Sequence, residues 1–182
     1  MTISTSNNFP EVKILTPNVV YDHRGFFMES FNMVTKKNLG VEFHQDNHSR
    51  SLKNVFRGIH YQWEEPMGKL CRVIRGSGYD LVVDLRIKSP TFGKYEFIYL
   101  SENNFSQVWV PAGFGHGFLS LDDRTDFVYK CSSVFNSSGE GSINPFDVDL
   151  DIDWPIEKNM IILSDKDKNA KSFNEYKNNP KF

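Results

Sequence analysis

Cysteine is scarce in this chain of 182 residues: Cys71 and Cys131 are the only two, and they form no Cys-x-x-Cys pair. Both fall in strand-like stretches, which reads as two buried thiols rather than a disulfide or a metal pair. Long apolar runs are missing as well. Leu81–Val83 is typical of the longest, far below the roughly 20 residues that a membrane-crossing helix needs. The opening MTISTSNNFPEVKIL has neither the cationic start nor the apolar stretch of a secretory signal. There is no large surplus of either charge: 21 Lys plus Arg stand against 23 Asp plus Glu, a formal charge of −2. That balance argues against bulk binding to nucleic acid, and it leaves room for a local cationic pocket that takes a small anion. Repeats, low-complexity tracts and Pro/Ser-rich linkers are absent. The expectation is a single domain over residues 1–182, cytoplasmic and reduced, with no nucleic-acid or membrane partner.

What is abundant is aromatic: 16 Phe, 7 Tyr and 3 Trp, spread along the chain. With 39% hydrophobic and 24% charged residues, disorder as the default state is excluded. Rings of this number suit pleated sheets, and they suit a cavity that holds a flat base or a sugar. Short strand signals, broken by Gly, Pro and Asn, recur from Val12 to Cys131 and indicate an all-β sandwich or barrel. Met33–Leu39, closed by Gly40, reads as a short helix. Leu70–Ile74 and the alternating Tyr79–Leu85, joined by Gly76-Ser77-Gly78, read as a hairpin. Asp147–Asp153 places acids at the first, third and fifth positions of an EF-hand loop. It lacks the glycine and the closing glutamate, so an edge strand with a charged face is expected instead of a calcium site. Beyond Ser164 the chain turns polar, with one helix expected, a C-terminal tail over about 170–182 and fraying at Asn178–Phe182.

Five histidines are present, and two have distinctive surroundings. His60 lies in Arg57-Gly58-Ile59-His60-Tyr61-Gln62; His116 lies in Pro111-Ala112-Gly113-Phe114-Gly115-His116-Gly117-Phe118, where three glycines allow close approach to the backbone. A strand histidine is more often a satisfied structural group than a catalyst. Lys69 is either a solvated cation or a stabiliser of a developing oxyanion. Tyr129 is either a core ring or a proton donor, and Asp167 either a surface acid or the partner that orients a histidine.

These residues sit in blocks that together resemble the dTDP-4-dehydrorhamnose 3,5-epimerase family. The blocks are Asp22-x-Arg24-Gly25-Phe26-Phe27-x-Glu29-Ser30, Gln45-Asp46-Asn47-His48-Ser49, Arg57 to Gln62, Gly68-Lys69-Leu70, Ser89-Pro90-Thr91-Phe92-Gly93, Pro111-x-Gly113-Phe114-x-His116-Gly117-Phe118 and Leu163-Ser164-x-Lys166-Asp167. They run in the family's order over about residues 10–170. The resemblance implies an all-β, cupin-like jelly-roll barrel with short peripheral helices. It implies a homodimer that exchanges N-terminal strands, a nucleotide-linked 4-keto sugar as substrate, and no cofactor or metal. It assigns His60 as general base, Tyr129 as general acid, Asp167 as the partner of the histidine, and Lys69 beside the keto oxygen. Arg24, Glu29, Gln45, Asn47, Arg57, His116, Glu140 and Lys166 match positions that contact nucleotide or sugar, with Arg24 or Glu29 serving the neighbouring subunit if strands are exchanged. A role in building a surface polysaccharide follows from the same resemblance.

The chemistry fits independently. A proton on carbon beside a ketone is removable only if the enolate oxygen is stabilised, which a fixed cation in a dry pocket does well. Histidine titrates near working pH, and inversion requires the proton to return from the opposite face. Arginine forks suit a diphosphate. Two positions depart from the family: Val20 stands where an aromatic is expected, and Phe135 where a tyrosine is. The base identity, and whether C3, C5 or both are inverted, stay open. Two other readings are a metal-dependent cupin, opposed by the lack of a His-x-His pair, and a sugar-nucleotide binding module, opposed by a complete acid–base set.

Overall fold

Thirteen short strands carry the fold of residues 1–182, all of them described by a computed structural model. One sheet has the order β1 (Thr2–Thr5), β2 (Lys13–Thr16), β10 (Gln107–Val110), β7 (Lys69–Arg75), β12 (Thr125–Cys131), β5 (Gln45–Ser51). A second has the order β13 (Glu140–Ser142), β6 (Phe56–Gln62), β11 (Phe114–Ser120), β8 (Ser77–Asp84), β9 (Tyr95–Ser101). β3 (Val19–Asp22) and β4 (Gly25–Met28) pair only with each other, at Asp22–Gly25 across the turn. Two antiparallel sheets face to face, with the chain crossing between them, make a cupin-like jelly roll, as expected.

The period-2 alternation of the strands sorts side chains into layers. Between the sheets, Cys71, Val73, Val108, Val110 and Phe127 meet Val82, Ile98, Leu100, Phe114 and Phe118. The opposite face of the five-stranded sheet is covered by the C-terminal segment, where Ile59, Leu81, Val83 and Leu119 pack on Leu150, Trp154, Leu163, Phe173 and Tyr176. Such side chains each contribute roughly 1.5–3 kcal/mol when fully buried. On the outer face of the six-stranded sheet, Leu15, Leu70 and Trp109 are covered by Phe31, Leu39, Val41 and Phe43.

Helix α1 (Met33–Leu39) forms where expected. The Asn32 side chain accepts from the Thr35 amide at its start, and Gly40 closes it at φ 67°. The Ser89–Gly93 block proves to be an anchor: Thr91 Oγ1 donates to Asp84 Oδ2 at 2.6 Å, and Arg86 Nη2 reaches the same carboxylate at 2.8 Å. Phe92 then stacks on Phe173 at 5.2 Å.

Three expectations are corrected. β7 and β8 are not a hairpin, because they belong to different sheets; Gly76, at φ 77°, turns the chain from one layer to the other. Asp147–Asp153 forms turns, not an edge strand, because Leu150 and Ile152 are drawn into the core beneath it. Asn178–Phe182 is docked, not frayed, and the stretch before it is helical. That stretch carries two short helices, α2 (Asp165–Lys168) and α3 (Phe173–Asn178), of which Phe173 and Tyr176 are buried. Phe182 carbonyl accepts from the Ile87 amide at 3.0 Å.

Candidate active site

The inner faces of both sheets converge on one end of the barrel. On β6, His60 stands opposite His116 of β11. On the facing sheet, β12 sets Tyr129 opposite Asn47 of β5 and Cys71 of β7, and Lys69 opens β7. Histidine and phenol therefore come from opposite walls.

His60 Nε2 lies 2.7 Å from Asp167 Oδ1. Asp167 is delivered by α2, whose first turn is fixed by Ser164. The Ser164 hydroxyl accepts from the Asp167 amide at 3.1 Å and donates to Asp167 Oδ2 at 2.9 Å. Burial alone would raise the Asp167 carboxyl, but the hydrogen bond and charge of His60, with help from Ser164, outweigh it and hold the group below its usual range. An ionised carboxylate only accepts, so Nε2 carries the proton and Nδ1 is left with the free lone pair.

Burial pushes the Tyr129 hydroxyl up from the ordinary phenol range, while Asn47 and the charge of Arg57 act in the other direction. It is a protonated donor at neutral pH. Lys69 Nζ is 5.8 Å from the Tyr129 ring centroid. Arg57 is oriented by the Ser51 hydroxyl at 3.1 Å. Gln45 donates to Asn47 Oδ1 at 2.9 Å and accepts from the Phe135 amide at 2.9 Å, tying β5 to the loop that carries Phe135. Lys166 and Glu140 pair at 2.6 Å between α2 and β13.

His116 is buried, and its Nε2 faces Asp80 at 2.8 and 3.0 Å from the two carboxylate oxygens. The glycines around it make room for neighbouring side chains rather than for an open backbone groove: a Cβ on Gly117 would meet the Phe56 ring at 2.2 Å, and one on Gly115 would meet Ile59 at 2.6 Å. Arg24 and Glu29 are not brought to this centre. Arg24 lies in the turn of the β3–β4 hairpin and pairs with Asp22 at 2.6 Å, and Glu29, just after β4, accepts from Asn32 at 2.6 Å.

Three further residues belong to the arrangement. Ser164 positions Asp167, and its Ser-x-x-Asp capping spacing was a readable signal. Gln62, buried on β6, accepts from the Asn136 amide at 2.9 Å and donates to the Val134 carbonyl at 3.1 Å, pinning the loop around Phe135. Asp80 is the fixed partner of His116; in the sequence it is one more alternating position of β8.

A histidine held by a carboxylate and a buried phenol on facing walls, with a lysine beside the phenol, are groups suited to acid–base chemistry on a cupin-like barrel. The family model for dTDP-4-dehydrorhamnose 3,5-epimerase matches residues 6–175, and the chain belongs to this family of isomerases. A dTDP-4-dehydrorhamnose 3,5-epimerase of Shigella flexneri is 47% identical over 168 residues, covering 90% of this chain and 92% of that one. The crystal structure of a dTDP-6-deoxy-D-glucose-3,5-epimerase from Legionella pneumophila, in complex with dTDP-4-keto-L-rhamnose, superposes with a TM-score of 0.90 at 43% identity, covering 95% of this chain and 93% of that one. A 3'-monoepimerase from Streptomyces bikiniensis in complex with dTDP-quinovose gives 0.88 at 35% identity, over 96% and 90%.

Proposed function

We propose that this protein, acting as one domain, epimerises a nucleotide-linked 4-keto-6-deoxy sugar at C3, C5 or both, with dTDP-4-dehydro-6-deoxy-D-glucose as the first substrate to try. The observation that carries the reading is the His60–Asp167 contact on the wall facing Tyr129. Both carbons flank the C4 ketone. His60 Nδ1 takes the proton from one of them, the C–H electron pair moves into the ring, and negative charge develops on the C4 oxygen, where the Lys69 ammonium stabilises it. Tyr129 returns a proton to the opposite face of the same carbon, the ketone re-forms, and bulk water resets both groups. No net oxidation occurs, so the reaction needs no redox cofactor. Arg57, Gln45, Asn47, His116, Glu140 and Lys166 hold nucleotide and sugar in this reading, and Phe135 covers the mouth.

The reading extends to a homodimer. The β3–β4 hairpin exposes Val20, Tyr21, Phe26 and Phe27 to solvent, an apolar surface that a soluble monomer seldom leaves uncovered. It carries Arg24 away from its own His60. Seating it against a second copy covers the rings and brings Arg24 and Glu29 to the partner's site. No helix is long and apolar enough to cross a membrane. A cytoplasmic enzyme of deoxysugar synthesis for a surface polysaccharide fits this chemistry.

The test is proton NMR of dTDP-4-dehydro-6-deoxy-D-glucose with the protein in heavy water. Loss of the C3 and C5 proton signals supports a double epimerase, and loss of one supports a single-centre enzyme. Unchanged signals at both carbons overturn the proposed substrate.

A further inference from the structure

One buried cluster is only partly used by the proposed reaction. Cys71 of β7, Asp80 of β8 and His116 of β11 each turn inward, and one ligating atom from each lies within 4.8 Å of the others. All three are buried, with Cys71 and Asp80 at 0% exposure. The Cys71 Sγ is 3.7 Å from His116 Nε2. The Nε2–H of His116 serves Asp80 Oδ2 at 3.0 Å. Oδ1 is also fully buried and lies 2.8 Å from the same Nε2, so the two oxygens share that one donor and Oδ1 has no hydrogen bond of its own. A buried carboxylate whose two oxygens share a single donor is under-satisfied, and a ligand for it is worth seeking.

We infer that Cys71, Asp80 and His116 form a binding site for a soft divalent metal ion of the zinc type, and that its occupation inhibits the epimerase. The donor set is thiolate, imidazole and carboxylate, which favours zinc over magnesium or calcium. Tetrahedral zinc with ordinary bond lengths sets a sulfur and a nitrogen ligand about 3.6 Å apart and a nitrogen and an oxygen about 3.3 Å apart. The first spacing is nearly met, and the second requires His116 and Asp80 to part by about half an ångström. Three protein ligands leave a fourth position to water.

Binding is a proton displacement. The metal takes the place of the Cys71 thiol proton, and the His116 proton moves from Nε2 to Nδ1 or leaves to solvent. Because a thiol releases its proton to a metal, binding strengthens as pH rises. Lys69 and His60 both act on His116 through space, so a dication there lies in the field of both. It opposes the positive charge that His60 must acquire as base, and it removes His116 from the substrate. The binding site stands on the geometry alone; its effect on turnover rests on the function proposed above.

The test titrates metal-free protein with Co2+ and Zn2+. Wild type should bind one Co2+ with a thiolate-to-cobalt charge-transfer band, and Zn2+ should displace it. Losing even the group behind a metal ligand costs about 10–100-fold in affinity, so Cys71→Val, which removes a ligand itself, should weaken Zn2+ binding about 100-fold or more and abolish the band. Cys71→Ser replaces Cys71→Val if the latter does not fold. Zn2+ should slow sugar-proton exchange by wild type and leave Cys71→Val active at the same concentration. No band in wild type, or a band that survives in Cys71→Val and disappears in Cys131→Val, overturns the site. A Cys71-dependent band with undiminished exchange overturns the inhibition alone. Metal binding with no exchange under any condition counts against the proposed substrate and leaves the site standing.

Discussion

His60 and Asp167 meet at 2.7 Å although 107 residues separate them in the chain, and the nitrogen that Asp167 holds is Nε2. Nδ1 is therefore the nitrogen free to take a proton. The contact is assembled late in the sequence, by the Ser164-capped turn of α2 laid across the end of β6. Its integrity depends on C-terminal packing as much as on the barrel.

Asp167→Asn should keep the fold and lose the enforced tautomer, since a side-chain amide can either donate to or accept from Nε2. The expected result is a fall in kcat of about 100-fold or more with KM changed little, measured by steady-state kinetics on the proposed substrate. An unchanged kcat would remove Asp167 from the account.

Tyr129→Phe removes the proton donor and leaves His60 in place. Abstraction then continues while return to the opposite face fails. Deuterium should still enter the sugar from heavy water, with formation of inverted product reduced by about 100-fold. Equal loss of exchange and inversion would show that Tyr129 acts before the proton leaves.

Lys69→Met should leave nucleotide binding within a few-fold of wild type and lower kcat by about 100- to 1000-fold, because the lost interaction strengthens only as the enolate forms. Calorimetric titration with dTDP, beside turnover, separates the two effects.

Asp84→Asn tests the Ser89–Gly93 anchor. Burial tends to raise this carboxyl, but hydrogen bonds from Arg86, Ser89 and Thr91 prevail and hold it at about 2. Its folded value is depressed, so its stabilisation is complete above the unfolded carboxylate value of about 3.9 and is lost as pH falls towards 2. The substitution should cost about 2 kcal/mol at pH 7, or roughly 4–8 °C in Tm. The gap to wild type should narrow as pH falls from 4 to 2.

The exchanged hairpin predicts complementation. His60→Ala and Arg24→Ala chains, each inactive alone, should regain about a quarter of wild-type activity when refolded together in equal amounts, because half the dimers then hold one intact site of two. Failure to regain any activity would place Arg24 in its own subunit's site.

Local signals in the sequence translated directly into structure. Asn32 and Gly40 bracket α1, and the alternation of Tyr79–Leu85 is that of β8. What local pattern could not convey was partnership. The glycine turn at Gly76 looks like a hairpin turn but is a corner between sheets, and no spacing rule distinguishes the two. The acids of Asp147–Asp153 suggested an exposed edge strand, whereas Leu150 and Ile152 hold that segment on the core as turns. His60, Lys69, Tyr129 and Asp167 were named through their motifs. The placement of His60 on one sheet and of Lys69 and Tyr129 on the other, the docking of Asp167 on His60, and the pairing of His116 with Asp80 depend on long-range contacts that no motif states.

The account turns on His60 as the base, and the most direct measurement is the rate at which deuterium from heavy water replaces the C3 and C5 protons of dTDP-4-dehydro-6-deoxy-D-glucose, followed by proton NMR for wild type and His60→Asn. The expected result is rapid replacement by wild type at one or both carbons, and a rate about 1000-fold lower for a folded His60→Asn protein that still binds dTDP. Replacement by His60→Asn at the wild-type rate would contradict the account and move the base to another group in the barrel.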